Sequence, residues 1–174
     1  MTYIQLYPVL NALPQISHHE QLPSDAHELI RCLDTTETER LFVLVKRGDH
    51  LSILKTFTLH LEIGDKYVCN SYDFPMKVLS WFPKALEDFR RPPAEGGLHA
   101  GAMTSADEDV DGELLCVQST TDGYCIVNRS RQSPIGSGVS YMPTDLSLSS
   151  HFLYRLGFLD QWKSLGERYE RGEL

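Results

Sequence analysis

Residues 40–72 carry the pattern that most restricts what this chain can fold into. An apolar, β-branched run, Leu41-Phe42-Val43-Leu44-Val45, is followed by Gly48-Asp49, a hairpin-turn pair. Beyond the turn, Leu51, Ile53, Phe57, Leu59, Leu61 and Ile63 fall on one side of a period-two alternation. Ser52, Thr56, Thr58, His60 and Glu62 fall on the other. Successive strand side chains point to opposite faces, so this stretch predicts an antiparallel sheet with one buried and one wet face. Gly64-Asp65 predicts a second turn and Lys66 to Tyr72 a third strand. From about Pro75, Leu79, Phe82, Leu86 and Phe89 recur at helical spacing and predict a helix, which Pro83 must kink or divide.

The same order returns further on. Glu113 to Ser119 predicts a strand, Thr121-Asp122-Gly123 a hairpin turn, and Tyr124 to Arg131 its partner strand. Ser140 to Leu146 suits a third strand with Pro143 at an edge. Ser149 or Ser150 then caps a last helix whose apolar stripe is Phe152, Leu156, Leu159, Trp162, Leu165 and Tyr169, with Gly157 a weak point and the tail from Glu167 fraying. The landmarks of the two stretches agree on one shift of about 74 residues, without residue identity between them. The expected fold is therefore α+β, with two pseudo-repeated antiparallel β-sheet-plus-helix (β-β-β-α) halves at 40–91 and 113–174. An extension, 1–39, precedes them, with a strand at Tyr3 to Leu10 and a short helix from Ser24 or Asp25 to about Leu33. Residues 92–112 contain Pro92-Pro93, several glycines and no Lys or Arg, which reads as a solvated, acidic linker within one compact domain.

Composition narrows the function classes. At 174 residues and 41% hydrophobic, the chain can bury a core without staples. It shows no basic-plus-apolar leader and no apolar run long enough to span a membrane, so a cytoplasmic protein is expected. Cys32, Cys69, Cys116 and Cys125 have no zinc or CxxC spacing and are expected to be free thiols. The formal net charge of −8 excludes a uniformly basic nucleic-acid binder. It is unevenly spread, however: residues 40–91 hold nine basic and six acidic side chains, net +3.

Two sheet-plus-helix halves in a chain of this length resemble the Whirly and PC4-like single-stranded nucleic-acid-binding fold, to which the Pur-alpha repeat is related. The resemblance spans roughly Arg40 to Leu165 and rests on element order and length. It implies a non-enzymatic module that binds single-stranded DNA or RNA through a sheet face. Phosphate contacts would come from Lys46, Arg47, Lys55 and Arg129, and base stacking from Tyr67, Tyr72 or Tyr124. Separately, the stretch from Phe74-Pro75-Met76-Lys77 to Gly96-Gly97-Leu98-His99-Ala100-Gly101 resembles hypothetical proteins of bacterial mobile elements, which names no activity.

Two alternatives stand beside this reading. One is an acidic protein-interaction or inhibitor protein that binds a basic partner. The other is a calcium-dependent module at 107–113, where Asp107, Asp109, Asp111 and Gly112 match the start of a D-x-D-x-D-G loop but Gln118 stands where a bidentate Glu is wanted. No metalloprotease, phosphate-loop, dinucleotide or serine-hydrolase motif occurs, so neither catalysis nor a cofactor is expected. Open strand edges leave pairing between copies of the chain as a further expectation.

Overall fold

The computed structural model describes residues 9–36, 38–135 and 141–174. Its elements run β1 (Ala26–Asp34), β2 (Arg40–Arg47), β3 (His50–Leu61), β4 (Gly64–Pro75), α1 (Val78–Arg90), β5 (Glu108–Val110), β6 (Glu113–Ser119), β7 (Gly123–Gln132), β8 (Pro143–Ser149) and α2 (Phe158–Glu170). They form two four-stranded antiparallel meanders, β1-β2-β3-β4 and β5-β6-β7-β8, each followed by a helix. The chain is α+β with pseudo-repeated halves, and each half carries one strand more than the alternation announces.

Both extra strands replace other expectations. The region from Ser24 to Leu33 is not a helix. Pro23-Ser24-Asp25 forms a turn, closed by the Ala26 amide on the Pro23 carbonyl at 3.0 Å, and β1 then pairs with β2 from Ala26↔Arg47 to Asp34↔Arg40. The open edge of β2 supplies long-range backbone partners, and these outweigh a local capping preference. The second extra strand, β5, lies inside the acidic linker. Asp111 (φ 49) and Gly112 (φ 88) form its hairpin turn, the left-handed pair that Asp-Gly favours, and Val110 is the buried anchor. The segment before β5 also packs, since Ser105 and Ser119 exchange backbone bonds with Val117 and Met103 at 2.9 Å. The expected strand at Tyr3 to Leu10 lies outside the described residues except at its end, where Leu10 bridges β7 beside Arg131.

One core joins the halves. Phe42, Leu44, Leu51, Ile53 and Phe74 of the first sheet share it with Leu115, Val117, Ile126 and Leu146 of the second and with both helices. Phe152 stacks on Phe158 and Phe42 at 4.3 and 4.8 Å between ring centroids, and Phe82 meets Trp162 edge-on at 5.1 Å. Pro83 does not divide α1, which continues to Arg90. A proline at that position leaves the Leu79 carbonyl without its helical donor. That carbonyl faces Gly166 of α2, where an added Cβ would sit 2.4 Å from it. Proline and glycine thus fit as a pair: one frees an acceptor, the other lets the partner backbone approach it. The last helix is broken at Gly157 (φ 79), after a π-helical turn over His151–Arg155 whose Phe152 amide is capped by the Ser149 hydroxyl at 3.1 Å. Its tail does not fray early: α2 runs to Glu170, and Leu174 packs on the core.

The largest departure concerns the outer face of the first sheet. Ser52 and Thr56 occupy positions read as wet, yet both are buried, as are Ser71 and Asp73 beside them on β4. Residues 9–25 run across them as an extended strap. The strap amides of Leu13 and Ile16 donate to Asp73 Oδ2 (3.1 Å) and Ser71 Oγ (3.4 Å), and Ser52 Oγ donates to Asp73 Oδ1 (2.7 Å). Ile16, Leu22 and Ala26 pack on Val43, Val45 and Leu54. Polar side chains are tolerated here because they satisfy an irregular backbone that no strand partners.

Candidate docking groove

The seven residues expected to contact nucleic acid do not form one surface. Strand parity places Lys46, Lys55, Tyr72 and Tyr124 on the helix-facing sides of the sheets, and Arg47, Tyr67 and Arg129 on the outer sides. Tyr72 is a core residue. Tyr124 is half-buried, edge-on to Phe89 at 5.9 Å. Lys55 lies over the Phe42 ring at 5.9 Å, and burial, then Arg40, lowers its pKa. Arg47 is buried and donates to the strap carbonyl of Pro14 at 2.8 Å. Arg129 donates to Asp107 at 2.8 Å, and its carbonyl accepts from the Tyr141 hydroxyl. Lys46 is half-exposed near a strand end, with no ion pair among the described residues. Arg47, Lys55 and Arg129 are thus engaged with the strap, a core ring and the acidic run.

The acidic run is likewise structural. Asp107 is held by Arg129, and Asp109 Oδ1 accepts the Gly112 amide at 2.9 Å to close the β5-β6 turn. Among the described residues, no three His, Cys, Asp or Glu side chains gather into a metal-holding group. The thiols are not activated: burial pushes Cys116 up to about 11 and Cys125 up to about 12.

Two arrangements escaped sequence reasoning. The first is a buried polar clasp between the sheets. Glu113 Oε1 accepts from Arg131 Nε (2.8 Å) and Asn128 Nδ2 (3.0 Å), and its Oε2 lies 2.9 Å from His50 Nε2. Arg131 also donates to the strap carbonyl of Asn11 at 2.8 Å, so the clasp binds both sheets and the strap. Burial works to raise the Glu113 pKa, but the bonds from His50, Arg131 and Asn128 outweigh it and hold the carboxyl at about 2. The Glu113 bond in turn raises His50, against its partial burial and with help from Asp49. The sequence signal was faint: polar residues at core-facing parity, Glu113 and Asn128, in otherwise apolar strands.

The second arrangement is open to solvent. The ladder between β2 and β3 ends at Leu41↔Thr56, while β3 and β4 continue together from Phe57↔Val68 to Leu61↔Gly64. The hairpin therefore projects past the rest of its sheet. Leu59, Leu61 and Ile63, read as core from their alternation, are 41%, 46% and 95% exposed. At its base, where the strap stops covering the outer face, is a groove of about 630 Å³. Glu39 and Asp65 supply its charge, His19, His60 and Tyr67 its rings, and Leu33, Leu41 and Phe57 its apolar wall; among the described residues no Lys or Arg lines it. His60 Nδ1 pairs with Asp65 Oδ1 at 2.8 Å. His19 Nδ1 meets the Tyr67 hydroxyl at 2.6 Å, and His18 stacks on Tyr67 at 4.5 Å, which fixes one wall. Burial raises the Tyr67 pKa, so the ring stays neutral.

No family model matches this chain, and neither a curated protein nor a solved structure matches it. Among the described residues, no helix is long and apolar enough to cross a membrane.

Proposed function

We propose that the protein is a non-enzymatic protein-interaction module that docks its partner with the projecting β3-β4 hairpin and the groove at its base. The observation that carries this reading is the exposure of Leu59, Leu61 and Ile63 on a hairpin that has left the core. Folding alone gains nothing from apolar side chains held in water, and contiguous exposed apolar surface marks interaction sites. The acidic, cation-free groove beside it favours a basic partner and opposes a polyanion. Single-stranded nucleic-acid binding is the second reading, supported by the doubled order of four-stranded sheet plus helix.

A photo-crosslinking residue at Ile63 tests the first reading in cells of the native host. A discrete protein adduct is expected that disappears when Leu59 and Leu61 become Asp and is absent when the probe replaces Asp160. Micromolar, salt-sensitive binding of labelled oligo-dT or oligo-rU, without an adduct at Ile63, refutes it in favour of the second.

A further inference from the structure

We infer that the groove takes an extended, lysine- or arginine-bearing segment of a partner protein, added as a strand to the free edge of β3 between Phe57 and Leu61. This rests on the docking reading above and names the partner's chemistry.

Three observations converge on that edge. Beyond Thr56, β3 has β4 on one side and no ladder partner on the other among the described residues. Its backbone donors and acceptors on that side are free to pair. An edge like this usually carries a lysine, a proline or a bulge to prevent pairing. The sequence Phe57-Thr58-Leu59-His60-Leu61 has neither Lys nor Pro, and its register with β4 is unbroken. The edge is therefore unprotected where Leu59 and Leu61 are exposed.

The two faces of an added strand would meet different chemistry. On the outer side lie Thr58, His60, Asp65 and Tyr67, with Glu39 across the groove. Two carboxylates and two rings without an opposing cation suit an ammonium or guanidinium group, through charge and the ring faces together. On the other side lie Phe57, Leu59 and Leu61 along the edge strand, with Val68 and Lys66 of β4 behind them. Alternation in the incoming strand follows from strand geometry: basic side chains toward the groove, apolar side chains toward the leucines. Backbone pairing supplies affinity, and the alternation supplies selection. A phosphate backbone would meet Glu39 and Asp65, and an acidic peptide would be repelled by them.

The test uses the intact protein and three labelled peptides: one alternating lysine and valine, one alternating glutamate and valine, and a lysine-valine version with alternate backbone amides N-methylated. Fluorescence anisotropy is expected to show binding of the first only. The paired change Glu39→Lys and Asp65→Lys should weaken it roughly ten-fold or more, with both residues at exposed positions where folding is not at risk. Hydrogen exchange should show new protection of the Phe57 to Leu61 amides on binding. Equal binding of the glutamate peptide overturns the inference, as does binding without protection at that edge. Protection that grows with protein concentration and ignores peptide overturns it in favour of a second copy of the chain. If no peptide binds while the Ile63 adduct forms, the inference fails and the docking reading stands.

Discussion

Truncating Glu113 to alanine removes the acceptor at the centre of the inter-sheet clasp. The side chains of Glu113 and Arg131 are 4% and 5% exposed, so the substitution leaves a buried guanidinium without its carboxylate. Two routes give the size of the loss. The carboxyl is held at about 2 against an ordinary 4.5, and that gap corresponds to about 3 kcal/mol. Breaking a buried ion pair by removing one partner costs about 3–5 kcal/mol. A loss of about 3–4 kcal/mol is therefore expected, a large share of the total stability of such a domain. The Glu113→Gln variant keeps the shape and an acceptor oxygen and should lose less.

The dependence on pH carries its own sign. Glu113 is depressed in the folded state, so its contribution is present above about 4.5 and fades as pH falls toward 2. His50 is raised, so its contribution is present below 6.5 and is lost as pH rises through its folded value. The wild type should be most stable between the two limbs. Glu113→Ala should flatten both, because His50 loses its main partner. Urea titrations at pH 3, 5.5 and 8, followed by fluorescence of Trp81 and Trp162, measure this. A loss under about 1 kcal/mol, with the wild-type pH profile intact, would refute the assignment of the clasp as a stabilising device.

Other outcomes are expected. Gly166→Ala puts a methyl against the Leu79 carbonyl and should cost about 1–3 kcal/mol in chemical denaturation by forcing the helices apart. Replacing Leu59, Leu61 and Ile63 together with serine should lower the melting transition far less than a core mutation, because Ile63 is 95% exposed and Leu59 and Leu61 are 41% and 46% exposed; a drop comparable to a core mutation would show the hairpin to be buried in the free protein. Asp73→Ala removes acceptors from both Leu13 and Ser52, and should raise proteolysis of the strap in residues 9–25 before global unfolding. Cys116 and Cys125 should resist thiol reagents at neutral pH until denaturant is added, while Cys32 and Cys69 react first.

Much of the fold was legible because its signals are local. The alternation in β3, the apolar run of β2, the Asp122-Gly123 turn and the stripes of both helices all report backbone periodicity, which one segment displays by itself. Even Asp111-Gly112 was visible as a motif, and in the structure it forms a hairpin turn. The candidate site was not legible in this way. Leu59 and Leu61 have the same parity as Leu51 and Ile53, and nothing local says that β2 stops pairing at Thr56 and leaves them uncovered. Lys55 and Tyr72 lie at the parity of Leu51 and Ile53, on the helix-facing side, so neither belongs to the face read as wet; what alternation alone did not tell is that the strap covers that other face.

The amino-acid sequence by itself determined where β2 to β4, β6 to β8 and both helices lie and that they come in two matching sets. Hydrogen-bond geometry and side-chain period act over a few residues, and those the chain carries openly. Only the tertiary structure decided which surfaces remain. The strap of residues 9–25 took the outer face of the first sheet, the clasp of Glu113, His50 and Arg131 drew the sheets together, and the hairpin past Thr56 was left in water. Each of these depends on contacts between residues far apart in the chain, and burial is a property of the assembled molecule.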